Sequence, residues 1–286
     1  MGKFLKIIRA DVMGYCMGVR RAVEAAEQAL LDNPIRPVYS YGPLIHNPSA
    51  LERLAAEGVV IVDGKNLPLP ADFGGASVII RAHGVPPDER EELVRRHAKI
   101  VDATCPRVLL SQRRARDYHE RGYTVYLAGD RNHGEISGIA GYAPECIVLE
   151  NSADAERLAM YPEKAVLISQ TTIKQSEYDA IAAVLSAKIA DLIVLNTICP
   201  ATRERQEALE ELCHEVDGVM VIGGRNSANT RRLFDTARQL SRNAWLIETP
   251  AEIPGEAFSL ERIGITAGAS TPDEVIDAVE QALQKV

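Results

Sequence analysis

Three cysteines, each directly before a helical stretch, divide this chain into near-equal thirds. Cys16 stands in D-V-M-G-Y-C-M-G-V-R-R-A-V, Cys105 in V-D-A-T-C-P-R-V and Cys199 in L-N-T-I-C-P-A-T-R, at intervals of 89 and 94 within 286 residues. Such a period marks a repeated structural unit. Two further landmarks follow each cysteine in the same order. The first is an apolar strand that ends in glycine and a polar turn: Y-S-Y-G-P-L-I-H-N-P-S, V-Y-L-A-G-D-R-N-H-G-E and V-M-V-I-G-G-R-N-S-A-N-T, aligned on Gly42, Gly129 and Gly224. The second is a strand and helix: V-I-I-R-A-H-G-V-P-P-D-E, V-L-I-S-Q-T-T-I-K-Q-S-E and I-G-I-T-A-G-A-S-T-P-D-E. It sets Thr171 and Thr172 opposite His83 and Gly84. Chance can produce one such echo; three landmarks at one period indicate triplication. The expected units are 14–100, 101–194 and 195–286, with 1–13 packed near the third.

Each unit alternates short apolar runs with helical stretches. The runs Val78–Arg81, Val125–Ala128, Val166–Ser169 and Val219–Ile222 read as strands buried on both faces. The fold class is therefore α/β, three pseudo-equivalent units with parallel sheets. After Cys16, residues Val19, Val23, Ala26 and Leu30 form one apolar helical stripe. Pro106 and Pro200 occupy first helical positions, where a missing N–H does no harm. Cys105 and Cys199 thus lie near helix N-caps, which favour the thiolate. Functional loops of open α/β units lie beyond the carboxyl ends of strands. Three units around a pseudo-threefold axis would turn all these loops, and one thiol each, toward one cavity. Three converging thiolates with no C-x-x-C pair suit an iron–sulfur cluster with one open iron better than a closed zinc site.

Composition narrows the classes. Hydrophobic residues make up 46% and charged residues 25%, as in an ordinary globular protein. No apolar run approaches the roughly 20 residues that span a membrane, and the N-terminal M-G-K-F-L-K-I-I-R-A-D-V reads as a charged strand, not a signal peptide. Five cysteines in so long a chain do not make a disulfide scaffold and fit a reducing cytoplasm. A net charge of −8 without a basic run argues against a nucleic-acid partner.

Among the remaining candidates, Cys213 shares a helical stripe with Leu209, Leu212 and Val216 and reads as core; Cys146 opens C-I-V-L and reads as structural. His46, His83 and His133 stand at strand-to-helix turns beside glycine or proline, in a chain of only six histidines. His97, His119 and His214 lie on polar stretches and read as surface. Glu135, in N-H-G-E, is either a helix-start acid or a proton donor beside the cavity. Ser227, Asn229 and Ser270 are natural N-caps, and such termini also cradle phosphate.

These motifs, end to end and in order, resemble the LytB-type 4-hydroxy-3-methylbut-2-enyl diphosphate reductases, last enzymes of the methylerythritol phosphate route to isoprenoids. The resemblance rests on G-Y-C-M-G-V-R-R-A-V, G-P-L-I-H-N-P, R-A-H-G-V-P, D-A-T-C-P, G-D-R-N-H-G-E, Q-T-T and T-A-G-A-S-T-P-D. It implies a trefoil of three units around one [4Fe-4S] cluster held by Cys16, Cys105 and Cys199, with the fourth iron open to the substrate hydroxyl. It implies that His46 and His83 bind substrate, that Ser227, Asn229, Ser270 and Thr172 hold the diphosphate, and that His133, Glu135 and Thr171 form a substrate and proton-relay group. Many members read N-S-S-N where this chain has Asn226-Ser227-Ala228-Asn229, so Ala228 can serve only through its backbone. Ferredoxin or flavodoxin is the implied electron donor. Three other readings use the same residues: an iron–sulfur dehydratase that needs no external electrons, a cluster-based redox sensor, and a structural zinc protein.

Overall fold

The computed structural model describes residues 5–285. Its twelve strands are β1 (Lys6–Arg9), β2 (Val38–Tyr41), β3 (Val59–Val62), β4 (Ser77–Ile80), β5 (Lys99–Asp102), β6 (Thr124–Ala128), β7 (Ile147–Leu149), β8 (Lys164–Ser169), β9 (Asp191–Leu195), β10 (Gly218–Ile222), β11 (Ala244–Ile247) and β12 (Arg262–Ala267). The helices are α1 (Met17–Asp32), α2 (Pro48–Ala56), α3 (Pro87–Arg95), α4 (Pro106–Glu120), α5 (Gly134–Ala140), α6 (Ser152–Glu156), α7 (Gln175–Ser186), α8 (Pro200–Glu215), α9 (Ala228–Leu240) and α10 (Asp273–Gln284). The expected strands are present to within one or two residues at each end.

The strands form three four-stranded sheets, β1-β12-β10-β11, β5-β4-β2-β3 and β9-β8-β6-β7. Every pairing is parallel. The order is the same in all three, edge strand by edge strand. Central strands β4 and β10 are buried along their whole length, which is why they read as unbroken apolar runs. The chain divides into two compact units. One, Met1–Arg20, Ile45–Arg53 and Pro200–Val286, contains the sheet that joins β1 to the last three strands; the other, Arg21–Leu44 and Leu54–Cys199, contains the other two sheets.

Within the second unit, α5 backs onto the loop after β4. A Cβ at Gly138 would lie 3.0 Å from the His83 carbonyl oxygen, and one at Gly141 would lie 2.5 Å from Pro86 Cβ. Gln112 Nε2, from α4, donates to the Gly138 carbonyl at 3.3 Å. This close backbone approach ties the turn bearing His83 to the helix bearing Glu135. In α1 the buried face runs through Ala22, Val23, Ala26 and Ala29; Val19 and Leu30, expected on it, are half-buried at its margins.

Backbone hydrogen bonds correct the register of the repeat twice. Gly42 N–H donates to Val62 O, Gly129 N–H to Leu149 O and Gly223 N–H to Ile247 O. The third glycine of the set is therefore Gly223, not Gly224; all three have positive φ (76°, 157° and 147°). The N–H groups of Cys105, Cys199 and Cys16 donate to the carbonyls of Ala82, Thr171 and Ala269. Thr171 thus matches Ala82 and Thr172 matches His83, one residue from the expected alignment. A glycine doublet, Gly223-Gly224, and a threonine doublet, Thr171-Thr172, each leave a one-residue slip that side-chain type alone does not resolve.

Candidate active site

The three cysteine loops are built alike. Each follows an edge strand, β1, β5 or β9, and each cysteine N–H reaches the second residue beyond the adjacent central strand: Cys16 to Ala269 at 3.1 Å, Cys105 to Ala82 at 2.9 Å and Cys199 to Thr171 at 2.9 Å. The helices that follow, α1, α4 and α8, have no acidic residue in the first turn. By contrast α3, α5, α6, α7 and α10 all do. The positive end of each cysteine helix is thus left for another anion. Cys16 Sγ already accepts from the Val19 N–H at 3.4 Å. All three thiols are partly exposed and none is in a disulfide. Cys213 is buried among Leu209, Leu212 and Val221, and Cys146 packs against the apolar cluster over β6 and β8; burial pushes both thiols up, away from the thiolate.

In the second unit, Glu135 is 1% exposed, and Thr171 holds both its carboxylate oxygens. The Thr171 N–H donates to Oε1 at 2.6 Å and the Thr171 hydroxyl donates to Oε2 at 2.7 Å. The carbonyl of the same threonine accepts from Cys199. His133 caps α5, its Nδ1 accepting from the Glu135 N–H at 3.2 Å. The His83 and His133 rings meet edge to face, 4.8 Å between centroids. Five expected residues are therefore linked: Glu135, Thr171, Cys199, His133 and His83. The Thr172 hydroxyl accepts from Gln170 Nε2 at 2.8 Å.

In the first unit, Ser227 is the N-cap of α9, its hydroxyl oxygen accepting from the Thr230 N–H at 3.3 Å. Asn229 is not a cap. It sits in the first turn, 4% exposed, and both Oδ1 and Nδ2 are buried with no partner in the protein. A buried amide left this way is costly. The N–H groups of Ala228 and Asn229 have no acceptor within the helix. Ser270 is not a cap either: α10 begins three residues later, with Pro272 at its N-cap, and the Ser270 hydroxyl donates to the His46 carbonyl at 3.1 Å. Gly224 lies against that same carbonyl, with no room for a Cβ. His46, Ser270 and the turn before Ser227 are thus one assembly.

His97 lies exposed beside Asp72, 3.2 Å from its carboxylate, and His214 is exposed. Sequence reasoning missed Arg81. Its guanidinium lies between Gly42 and Gly134: a Cβ at Gly134 would be 2.6 Å from Nη2, and one at Gly42 would overlap Nη1. Its Nε is buried without a partner. Burial holds the guanidinium below its usual range, while Glu89, Tyr41 and Asp63 oppose that shift. The arginine supports the turn that carries His133 and Glu135. Its signal was present in R-A-H-G, but its two glycine neighbours are far away in sequence. Gln170 is the counterpart over Gly129, where a Cβ would lie 2.5 Å from its Oε1.

The fold and site define a triplicated α/β protein with one helix-leading cysteine per sheet and loops rich in histidine, hydroxyl and amide groups. The family model described as "LytB protein" matches residues 7–284, so the chain belongs to the LytB family. It is 50% identical over 283 residues to 4-hydroxy-3-methylbut-2-enyl diphosphate reductase of Treponema denticola, covering 96% of this chain and 98% of that protein. It is 39% identical to the enzyme of the same name from Aquifex aeolicus, covering 98% and 96%. It superposes on a solved structure of (E)-4-hydroxy-3-methyl-but-2-enyl diphosphate reductase, the terminal enzyme of the non-mevalonate pathway, with TM-score 0.72, 38% identity and coverage of 98% and 99%. Against the E-1-hydroxy-2-methyl-but-2-enyl-4-diphosphate reductase of Plasmodium falciparum the TM-score is 0.88 at 28% identity, covering 98% and 88%.

The contact between Arg81 and Gly134 is testable by a double-mutant cycle. Gly134→Ala and Arg81→Ala should each destabilise the protein by about 1–3 kcal/mol, the range for overpacking or for loss of a buried polar contact. The double variant should lose clearly less than the sum, because removing the guanidinium makes room for the methyl group. Urea unfolding of the four proteins measures this; strict additivity would mean that the two residues do not touch.

Proposed function

We propose that this chain reduces 4-hydroxy-3-methylbut-2-enyl diphosphate to isopentenyl and dimethylallyl diphosphates, with two electrons and two protons and loss of water, as the last step of the methylerythritol phosphate pathway. The observation that carries the reading is the chain of contacts Cys199–Thr171–Glu135. One threonine hydrogen-bonds both a candidate ligand of the electron-bearing group and a buried carboxylate fit to move protons. A redox sensor has no need of that coupling.

The donor set suits an iron–sulfur cluster. Cys16, Cys105 and Cys199 are thiols at the positive ends of helices free of first-turn acids, where thiolates are favoured, while Cys146 and Cys213 are held as thiols by burial. Three ligands suit one [4Fe-4S] cluster with an open iron. When bound, the cluster supplies single electrons and a Lewis acid for the departing oxygen.

The chain's own residues supply the rest. The Asn229 amide, the Ser227 and Ser270 hydroxyls and the first-turn N–H groups of Ala228 and Asn229 bind the diphosphate. The Thr172 hydroxyl adds a donor. This binding energy, remote from the reacting carbon, fixes the allylic alcohol for cleavage. His46 and His83 line the substrate. When Glu135 is protonated the Thr171 hydroxyl bond reverses: Glu135 donates its proton to the Thr171 oxygen, and the Thr171 hydroxyl turns its own proton to the substrate, while His133 orients the helix turn that holds Glu135. A reduced ferredoxin or flavodoxin is the electron source, and the five free thiols suit a cytoplasmic setting.

Three measurements test the reading. Iron and sulfide counts on anaerobic protein should fall steeply in Cys16→Ser, Cys105→Ser and Cys199→Ser and stay near wild type in Cys146→Ser and Cys213→Ser. A fully loaded Cys105→Ser protein would remove the cluster assignment. Glu135→Gln keeps shape and hydrogen bonding but has no carboxylic proton, so turnover with a chemical reductant should drop by about 10²–10⁴-fold with substrate still bound. A rate close to wild type would exclude Glu135 from proton transfer. Asn229→Ala should weaken the diphosphate substrate by roughly 10- to 100-fold, the equivalent of one hydrogen bond to a charged group. The dephosphorylated alcohol should bind as poorly as it does to wild type; an equal loss on both ligands would make Asn229 structural.

A further inference from the structure

The helix α4 carries a charge pattern at odds with its own dipole. Across Pro106–Arg116 it has four arginines, Arg107, Arg113, Arg114 and Arg116, and no acidic residue. The first of them, Arg107, lies in the first turn, where a cation is disfavoured by about 0.3–1 kcal/mol. The chain as a whole carries −8, so this segment is basic against an acidic background. The packing of α4 does not require these arginines. Its buried face is Val108, Ser111, Gln112 and Ala115; Arg107, Leu110, Arg113 and Arg116 are exposed on the other side. Among the described residues neither Arg107 nor Arg113 has a carboxylate within 4.0 Å, and Arg116 reaches Asp117 and Glu120 only at 3.5 and 4.0 Å. Leu110, 39% exposed, places one apolar side chain between the first two arginines. An exposed apolar centre with an arginine rim is the anatomy of a protein interface. A local departure from helix rules without a structural partner points to function.

The position of this face says what it serves. The helix begins at Cys105. At about 1.5 Å of rise per residue, Arg107 is about 3 Å and Arg113 about 12 Å along the axis from that cysteine. We propose that the exposed face of α4, formed by Arg107, Leu110, Arg113 and Arg116, docks an acidic electron-carrier protein beside Cys105. The inference rests on the reductase reading above and adds the surface through which electrons enter. The balance is simple: two carriers each lose one electron, the substrate takes both with two protons, its C–O bond breaks, a C–H bond forms, and water leaves. Complementary charge steers the carrier and raises its encounter rate by about 10–10³-fold, an effect that salt screens.

The test uses the full-length, cluster-loaded enzyme with two kinds of donor: reduced acidic ferredoxin and flavodoxin as protein carriers, and a reduced viologen as a small chemical donor. In Arg107→Glu/Arg113→Glu the KM for the protein carriers should rise at least about tenfold, within the steering range, and its salt dependence should flatten. The viologen rate should stay within about twofold of wild type. Arg107→Lys/Arg113→Lys keeps the charge and should retain most carrier-dependent activity. Unchanged carrier kinetics in the reversed variant overturn the proposal. So does an equal loss with viologen, which would place the arginines with the cluster or the fold. A wild-type enzyme that turns over with viologen but with neither carrier also overturns it, as does salt-sensitive RNA binding lost in the reversed variant while carrier kinetics hold. Failure of wild type with viologen itself would instead overturn the reductase reading.

Discussion

One backbone hydrogen bond, made three times, sets the geometry of this protein. In each sheet the N–H of a cysteine donates to a carbonyl in the loop beyond the neighbouring central strand. That bond fixes two things together: the start of the cysteine helix, and the path of the loop whose next residue is Ser270, His83 or Thr172. One of the three cysteine thiols and the side chain proposed above to meet substrate are thereby placed by one contact. The parallel sheets supply the rigid frame, because their central strands are buried on both faces and cannot shift without exposing apolar surface.

The three copies have diverged where chemistry is asymmetric. The residue before the shared carbonyl is Arg81 in one sheet, Gln170 in the second and Gly268 in the third. Arg81 fills the space over Gly42, and Gln170 fills the space over Gly129 while its Oε1 accepts from the Asp130 N–H at 2.8 Å. Over Gly223 the space belongs instead to Thr230 from α9 and Thr271 from the loop before α10. Likewise the capping position is held by His133 in one copy and Ser227 in another. A symmetric scaffold thus presents an imidazole and a carboxylate from one copy, and hydroxyl and amide groups from another.

Much of this was legible in the chain, and the rest failed for identifiable reasons. Apolar runs located the buried strands because a doubly covered strand has no polar face to blur the signal. The cysteines stood out because proline or a Gly-rich turn marks each helix start. Register was misjudged at Gly223-Gly224 and Thr171-Thr172, where like residues stand side by side and only the hydrogen bond separates them. Ser270 and Asn229 looked like caps because cap chemistry and ligand chemistry use the same side chains; the structure separates them by where the helix begins. Arg81 stood in view in R-A-H-G, but its role did not, because it packs over two glycines, Gly42 and Gly134, that lie far from it in sequence.

The sheet β1-β12-β10-β11 also sets an order of events during synthesis. Among the described residues β1 pairs with β12 alone, and Cys16 waits for the carbonyl of Ala269. The first cysteine to leave the ribosome is therefore the last to find its position, whereas Cys105 and Cys199 take their bonds from residues made before them. A nascent chain stopped short of residue 269 presents two ordered cysteine loops and one unanchored one. Cys16 is thus the last of these three cysteines to gain its backbone anchor, although it is the first to be made.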